Sequence, residues 1–183
     1  MTIIEEEEII RQLNDKCTQS MAFEKVVKAY SEKLYWQIRR MVISHEDTND
    51  ILQNVFIKVW CSINSFRGES RLYTWLYRIA VNETLTFLNK QRQIQTFDID
   101  SPEGTLVKQL ESDEWFDGNK AQKTLQEAIL TLPDKQRLVF NLKYFEEMKY
   151  EDMSAILGTS VGALKASYHL AVKKISEILK KTN

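Results

Sequence analysis

The sequence predicts an all-α protein of two small helical domains joined by an acidic flexible linker. Three observations carry this. Glycine and proline, on which tight turns between strands depend, number only five and two in 183 residues. Apolar residues recur at steps of three and four, the spacing of one helix face. The charge is segregated although the net charge is only -1. Residues 1–92 hold 13 basic and 12 acidic residues, residues 93–119 one and seven, and residues 120–183 eleven and seven. The expected boundaries are therefore a first domain over 1–92, a linker over 93–119 and a second domain over 120–183. The linker, which also carries Pro102, Gly104 and Gly118, reads either as a solvated spacer or as a segment that occupies a basic groove until a partner arrives.

Composition narrows the function. With 43% hydrophobic and 28% charged residues the chain reads as soluble and globular. No apolar run is long enough to span a membrane, so no direct membrane insertion is expected. The stretch Met1 to Glu8 is acidic where a signal peptide would be basic and then apolar, which predicts a cytoplasmic protein. Cys17 and Cys61 have no CxxC spacing, and His45 and His169 are the only histidines, so neither a disulfide framework nor a metal or other cofactor is expected. No GxxxxGK[ST], GxGxxG, HExxH or GxSxG occurs, which argues against an enzyme. Basic residues cluster late in both domains: Arg67, Arg71, Arg78, Lys90 and Arg92 in one, Lys165, Lys173, Lys174, Lys180 and Lys181 in the other. That is the charge pattern of a chain touching a polyanion at two places. Lys180 and Lys181 serve equally well as complements to a helix dipole.

In the first domain a short amphipathic helix is expected from about Ile3 to Cys17, and a longer one from Phe23 to Ile43 through Val26, Tyr30, Leu34 and Ile38. Leu52, Val55, Phe56, Val59 and Ile63 build the core face of the next helix, which Asp47 can cap. Asp50, Gln53, Asn54 and Lys58 share the opposite face, a polar mixture suited to orienting a protein partner. Gly68 breaks the chain. Beyond it Leu72, Trp75, Leu76, Ile79 and Ala80 make an apolar stripe, and Arg71, Thr74, Arg78 and Asn82 line another, flanked by Tyr73 and Tyr77 with Phe66 just before. Aromatics interleaved with arginines beside a loop fit a surface that stacks unpaired bases.

In the second domain one helix is expected from Lys120 to Leu130, and Pro133 opens another with a core face of Leu138, Val139, Leu142 and Phe145. Tyr150, Met153, Ile156 and Leu157 place a short helix that Gly158 ends, and Ser160 caps a long last helix. Two helices about a tight glycine turn are the helix-turn-helix pattern, in which the second helix enters the major groove. Its outward stripe is Gly162, Lys165, Ala166, His169 and Lys173.

The runs DILQNVFIKVW, SFRGESRLYTWLYRIAVNETL and LPDKQRLVFNLKYFEEMKYEDMSAILGTSVGALKASYHLAVKKI resemble a bacterial RNA polymerase sigma factor of the extracytoplasmic-function subgroup, which keeps only regions two and four. The resemblance implies that Asp50, Gln53, Asn54, Lys58 and Trp60 grip the polymerase clamp. It implies that Phe66, Arg67, Arg71, Thr74, Trp75, Arg78 and Asn82 read the minus-ten element and capture an extruded base. It implies that Ser160, Gly162, Lys165, Ser167, His169 and Lys173 serve the minus-thirty-five helix, and that Leu138 to Phe145 face the polymerase flap. The implied partners are core RNA polymerase, promoter DNA and an anti-sigma factor. The chain departs from the family's pattern at Leu170, often arginine, and Ser154, often alanine. The alternative readings are a free-standing helix-turn-helix regulator, a cytoplasmic enzyme and a helical adaptor.

Overall fold

The computed structural model describes residues 3–66, 68, 70–95, 110 and 120–182. Among them there are eight α-helices and no strand. In the first module these are α1 (Ile3–Leu13), α2 (Gln19–Val42), α3 (His45–Ser62) and α4 (Leu72–Gln95), with a 3-10 turn at Ile63–Ser65. In the second they are α5 (Lys120–Leu130), α6 (Asp134–Tyr144), α7 (Tyr150–Leu157) and α8 (Val161–Thr182).

Several boundaries differ from the sequence reading for local reasons. Helix α1 stops at Leu13, because Asp15 turns the chain by accepting the Cys17 N–H at 2.9 Å. Helix α2 begins a turn before Phe23, at Gln19, where of Gln19, Ser20, Met21 and Ala22 only the small Ala22 is buried, too little to set an apolar period. The cap of α3 is Ser44, whose Oγ accepts the Asp47 N–H at 3.2 Å. Asp47 sits inside the first turn and favours the helix by its charge, without capping it. Helix α4 runs past residue 92 to Gln95, and the Glu6 carboxylate of α1 accepts the N–H of Leu72 at its start. The expected stops hold in the second module. Gly158 is left-handed at φ 63°, and Ser160 Oγ accepts the Ala163 N–H at 3.3 Å. Pro133 precedes the first helical residue, Asp134.

The main core does not respect the module boundary. Val26, Leu34, Ile38, Val55, Leu72, Leu76 and Ala80 of the first module form one buried cluster with Leu138, Val139, Leu142, Met153, Ile156 and Leu164 of the second. The second module has a smaller core of its own from Ala128, Ile129, Phe140, Ala171 and Ile175. The first three residues of the linker reading, 93–95, belong to α4, and the rest lies outside the described residues except Leu110, which is fully buried against Ile43 and Leu130. Ile43 meets it from a strained backbone, at φ 67° between α2 and α3.

Candidate polymerase and nucleic-acid interface

Helix α3 buries Thr48, Ile51, Val55 and Val59, which turns the opposite side outward. Asp50, Gln53, Asn54 and Lys58 are exposed there, as the spacing implies, and so is Trp60, which the resemblance adds to them. Lys58 pairs with Glu83 of α4, and the Trp60 ring meets Phe23 edge-on at 4.9 Å. The sequence reading missed an apolar element of this face. Ile57, 53% exposed, lies one turn from Gln53 and Asn54, and Met21 at the start of α2 is 61% exposed. The signal was available, since Ile57 breaks the core period of α3 and lands among polar neighbours. An apolar centre within a polar rim is the composition of a protein-binding patch.

The minus-ten candidates are divided by the fold. Arg71, Arg78 and Asn82 are exposed along the start and middle of α4. Phe66 and Thr74 are buried, and Trp75 is half-buried with its ring stacked on Phe66. Arg67 lies outside the described residues. The expected aromatic platform is therefore turned inward in this conformation, because Phe66 follows directly on the 3-10 turn that carries it under α4. Tyr73 and Tyr77 do not flank an open surface either. Their rings lie 4.4 Å apart toward the second module, and Tyr77 is fully buried. Burial, and then the nearby Glu146 charge, pushes both phenols well above their ordinary value.

On α8, Ser160, Gly162, Lys165, Ala166, His169 and Lys173 are exposed. A Cβ at Gly162 would meet nothing within 4 Å, so this face is open close to the backbone. Lys165 Nζ lies over the Tyr150 ring at 5.7 Å, and Lys143 Nζ shares the same ring at 5.0 Å. Ser167, which the resemblance and not the outward stripe adds to this set, differs from the others. It is half-buried and lines an apolar cavity of about 320 Å³ with Leu85, Leu138, Leu157 and Leu164. Leu170, where the family often has arginine, is 53% exposed. Leu138, Val139 and Leu142 of α6 enter the shared core as their spacing implies, while Tyr144 on the same helix remains exposed.

Of the cations expected to meet a polyanion, Arg71, Arg78, Lys90, Lys165, Lys173, Lys174, Lys180 and Lys181 are exposed, Arg92 is half-buried and paired with Asp134, and Arg67 lies outside the described residues. Among the described residues no group of three or more His, Cys, Asp or Glu could hold a metal ion, and no helix is long and apolar enough to cross a membrane.

Comparison with known proteins covers both modules. The family model Sigma-70 region 2 matches residues 26–94, and Sigma-70, region 4 matches residues 122–175. The chain is 33% identical over 156 residues to the ECF RNA polymerase sigma factor SigW of Bacillus subtilis, spanning 81% of this chain and 83% of that protein. It is 32% identical over 153 residues to the ECF RNA polymerase sigma-E factor of Escherichia coli, spanning 79% and 80%. The fold matches CnrH solved in complex with the cytosolic domain of CnrY, with TM-score 0.71, 21% identity, and 97% and 99% of the two chains covered. It also matches RpoE of Bartonella quintana solved with the anti-sigma factor NepR, with TM-score 0.70, 23% identity, and 86% and 96% covered.

Proposed function

Because this chain belongs to the extracytoplasmic-function branch of the sigma-70 family of RNA polymerase sigma factors, we propose that it docks on core polymerase through α3 and reads promoter DNA with α4 and α8. The observation that supports this most is the outward face of α3, where Asp50, Gln53, Asn54 and Trp60 surround the exposed Ile57. The apolar centre supplies area, and the polar rim fixes orientation. Arg71, Arg78 and Asn82 meet the minus-ten strand, and Phe66, Thr74 and Trp75 reach an extruded base once the turn after α3 repacks to uncover them. Capture of that base offsets part of the stacking lost on melting. Lys165, His169 and Lys173 meet the minus-thirty-five duplex with Ser160, Gly162 and Ser167 at the approach of α8. Phosphate contacts set affinity and register there, and base edges set specificity.

The chain positions and separates DNA strands, and the polymerase does the phosphoryl chemistry, so the factor is not an enzyme. A free-standing regulator needs only the second module and leaves the region 2 match over residues 26–94 without a role. Its site of action is the cytoplasm, and an anti-sigma protein is the class of inhibitor it answers to. The test is titration of purified core polymerase with the chain. Replacing Asp50 and Gln53 together by alanine lowers the affinity with an unchanged helical circular dichroism signal. Full affinity in that variant removes α3 from the contact.

A further inference from the structure

One carboxylate gathers the contacts that hold the two modules together. Glu146, in the turn between α6 and α7, accepts from Arg40 Nη1 at 2.9 Å and from the Tyr77 hydroxyl at 3.1 Å. Both donors belong to the first module, one on α2 and one on α4. The Arg40 guanidinium also lies over the Phe145 ring, 4.2 Å from its centroid. Nearby, Gln126 Nε2 donates to the Arg40 carbonyl at 3.3 Å, and Asn141 Nδ2 approaches the Met41 sulfur at 3.5 Å.

The same closure engages residues assigned above to the promoter. Arg78 Nη2 donates to the Ala155 carbonyl at 2.7 Å, so a candidate minus-ten contact is held by α7, the first helix of the helix-turn-helix. Ser167 is turned toward the cavity that Leu85 of α4 helps to line. In the closed arrangement each reading surface lends a residue to the other.

We propose that Glu146 is the latch of a self-occluded state, and that reading a promoter requires its release. The inference rests on the assignment of α4 and α8 as promoter-reading helices. The energetics are differential. In the closed state Arg40 is largely removed from water, which opposes its charge, and Glu146 is the anion that compensates. In an open state Arg40 is hydrated and has no need of Glu146. Deleting the carboxylate therefore raises the free energy of the closed state and leaves the open state as it was. The interface also buries polar atoms that it satisfies poorly. Asn141, whose Nδ2 meets only the Met41 sulfur, has no hydrogen-bond partner for its Oδ1 among the described residues. Such groups recover hydrogen bonds on opening, so the closed state depends on the latch more than a dry apolar interface would.

The experiment uses the full chain with Cys17 and Cys61 replaced by serine and spin labels at Lys28→Cys and Glu177→Cys, one on each module. The parent gives one narrow inter-label distance by pulsed electron resonance. Glu146→Ala shifts the closed-to-open ratio by about a hundredfold, seen as a population at longer distance. Tyr77→Phe, which keeps the ring in the core and removes only the hydroxyl, gives a smaller shift of the same sign. With core polymerase, both variants keep or increase promoter-specific transcription at limiting factor concentration. A native distance in both variants would overturn the latch, as would opening accompanied by loss of transcription. If the parent chain itself supports no promoter-specific transcription, the promoter assignment fails, whatever the distances show.

Discussion

The Phe66 and Trp75 rings stack at 4.7 Å between centroids with planes 25° apart, and this pair joins the turn after α3 to the start of α4. Phe66 is buried in the core cluster. Its truncation removes packing as well as any base contact. Phe66→Ala should lower the unfolding free energy by about 3–5 kcal/mol, measured by chemical denaturation. Asn82→Ala, on the exposed side of the same helix, should stay within about 0.5 kcal/mol of the parent. Equal stability in the two variants would show that Phe66 is not a core residue.

Two positions test the left-handed backbone. Gly158 adopts φ 63° and an added Cβ would meet nothing within 4 Å, so Gly158→Ala carries a conformational cost alone, about 1–2 kcal/mol. Glu147 adopts φ 51° without being glycine, and the Met148 N–H closes the turn on the Leu142 carbonyl at 3.1 Å. Glu147→Gly should therefore be stabilising by up to about 1 kcal/mol. Thermal melts of both variants settle the signs.

The helix cap offers a direct contrast. Ser44→Ala should cost about 1 kcal/mol, because the Asp47 N–H loses its acceptor. Asp47→Ala removes only a favourable charge near the helix start and should cost less than half as much. A larger loss at Asp47 would return the cap to that residue.

The legible part of the molecule was the local part. Core positions such as Val55, Leu76 and Leu164 follow from spacing, and Gly158 and Ser160 from turn chemistry. Ser44 was missed because serine and aspartate are both good caps three positions apart, and only the backbone shows which side chain reaches back. The burial of Thr74 is not legible because a helix period assigns stripes without stating what covers each one, and that of Phe66 because it lies in the turn before the helix, where no period applies. The contact of Arg40 with Glu146, 106 residues apart, has no local signature at all. Nor does the burial of Leu110, a leucine inside an otherwise acidic segment, against Ile43 and Leu130.

Alkaline pH should loosen this packing. Burial, then the Glu6 charge, pushes the Tyr30 phenol from 10.0 up to about 12, and the phenols of Tyr73 and Tyr77 are raised as well. A raised value in the folded state means that unfolding favours ionisation. The stability that Tyr30 contributes is complete below about pH 10 and is lost as pH rises through about 12. Denaturation midpoints across that window should fall less steeply in Tyr30→Phe than in the parent. Identical slopes would show that Tyr30 ionises as freely in the folded chain as in the unfolded one.

Lys165 and Lys173 distinguish a phosphate contact from a solvated surface. If Lys165 neutralises a phosphate, Lys165→Ala weakens promoter binding by the polymerase complex and lowers the slope of log affinity against log salt by about 0.9. Lys33→Ala, beside the cleft between the modules lined by Arg71 and Glu147, leaves that slope unchanged. An unaltered slope in Lys165→Ala takes this residue off the DNA contact.

The most direct measurement maps transcript 5′ ends produced by purified core polymerase on genomic fragments, with and without the chain. The account predicts starts at a defined set of positions that appear only when the chain is present and disappear when Asp50 and Gln53 are both replaced. Starts unchanged by adding the chain, or DNA binding by the chain with no association with polymerase, would contradict it.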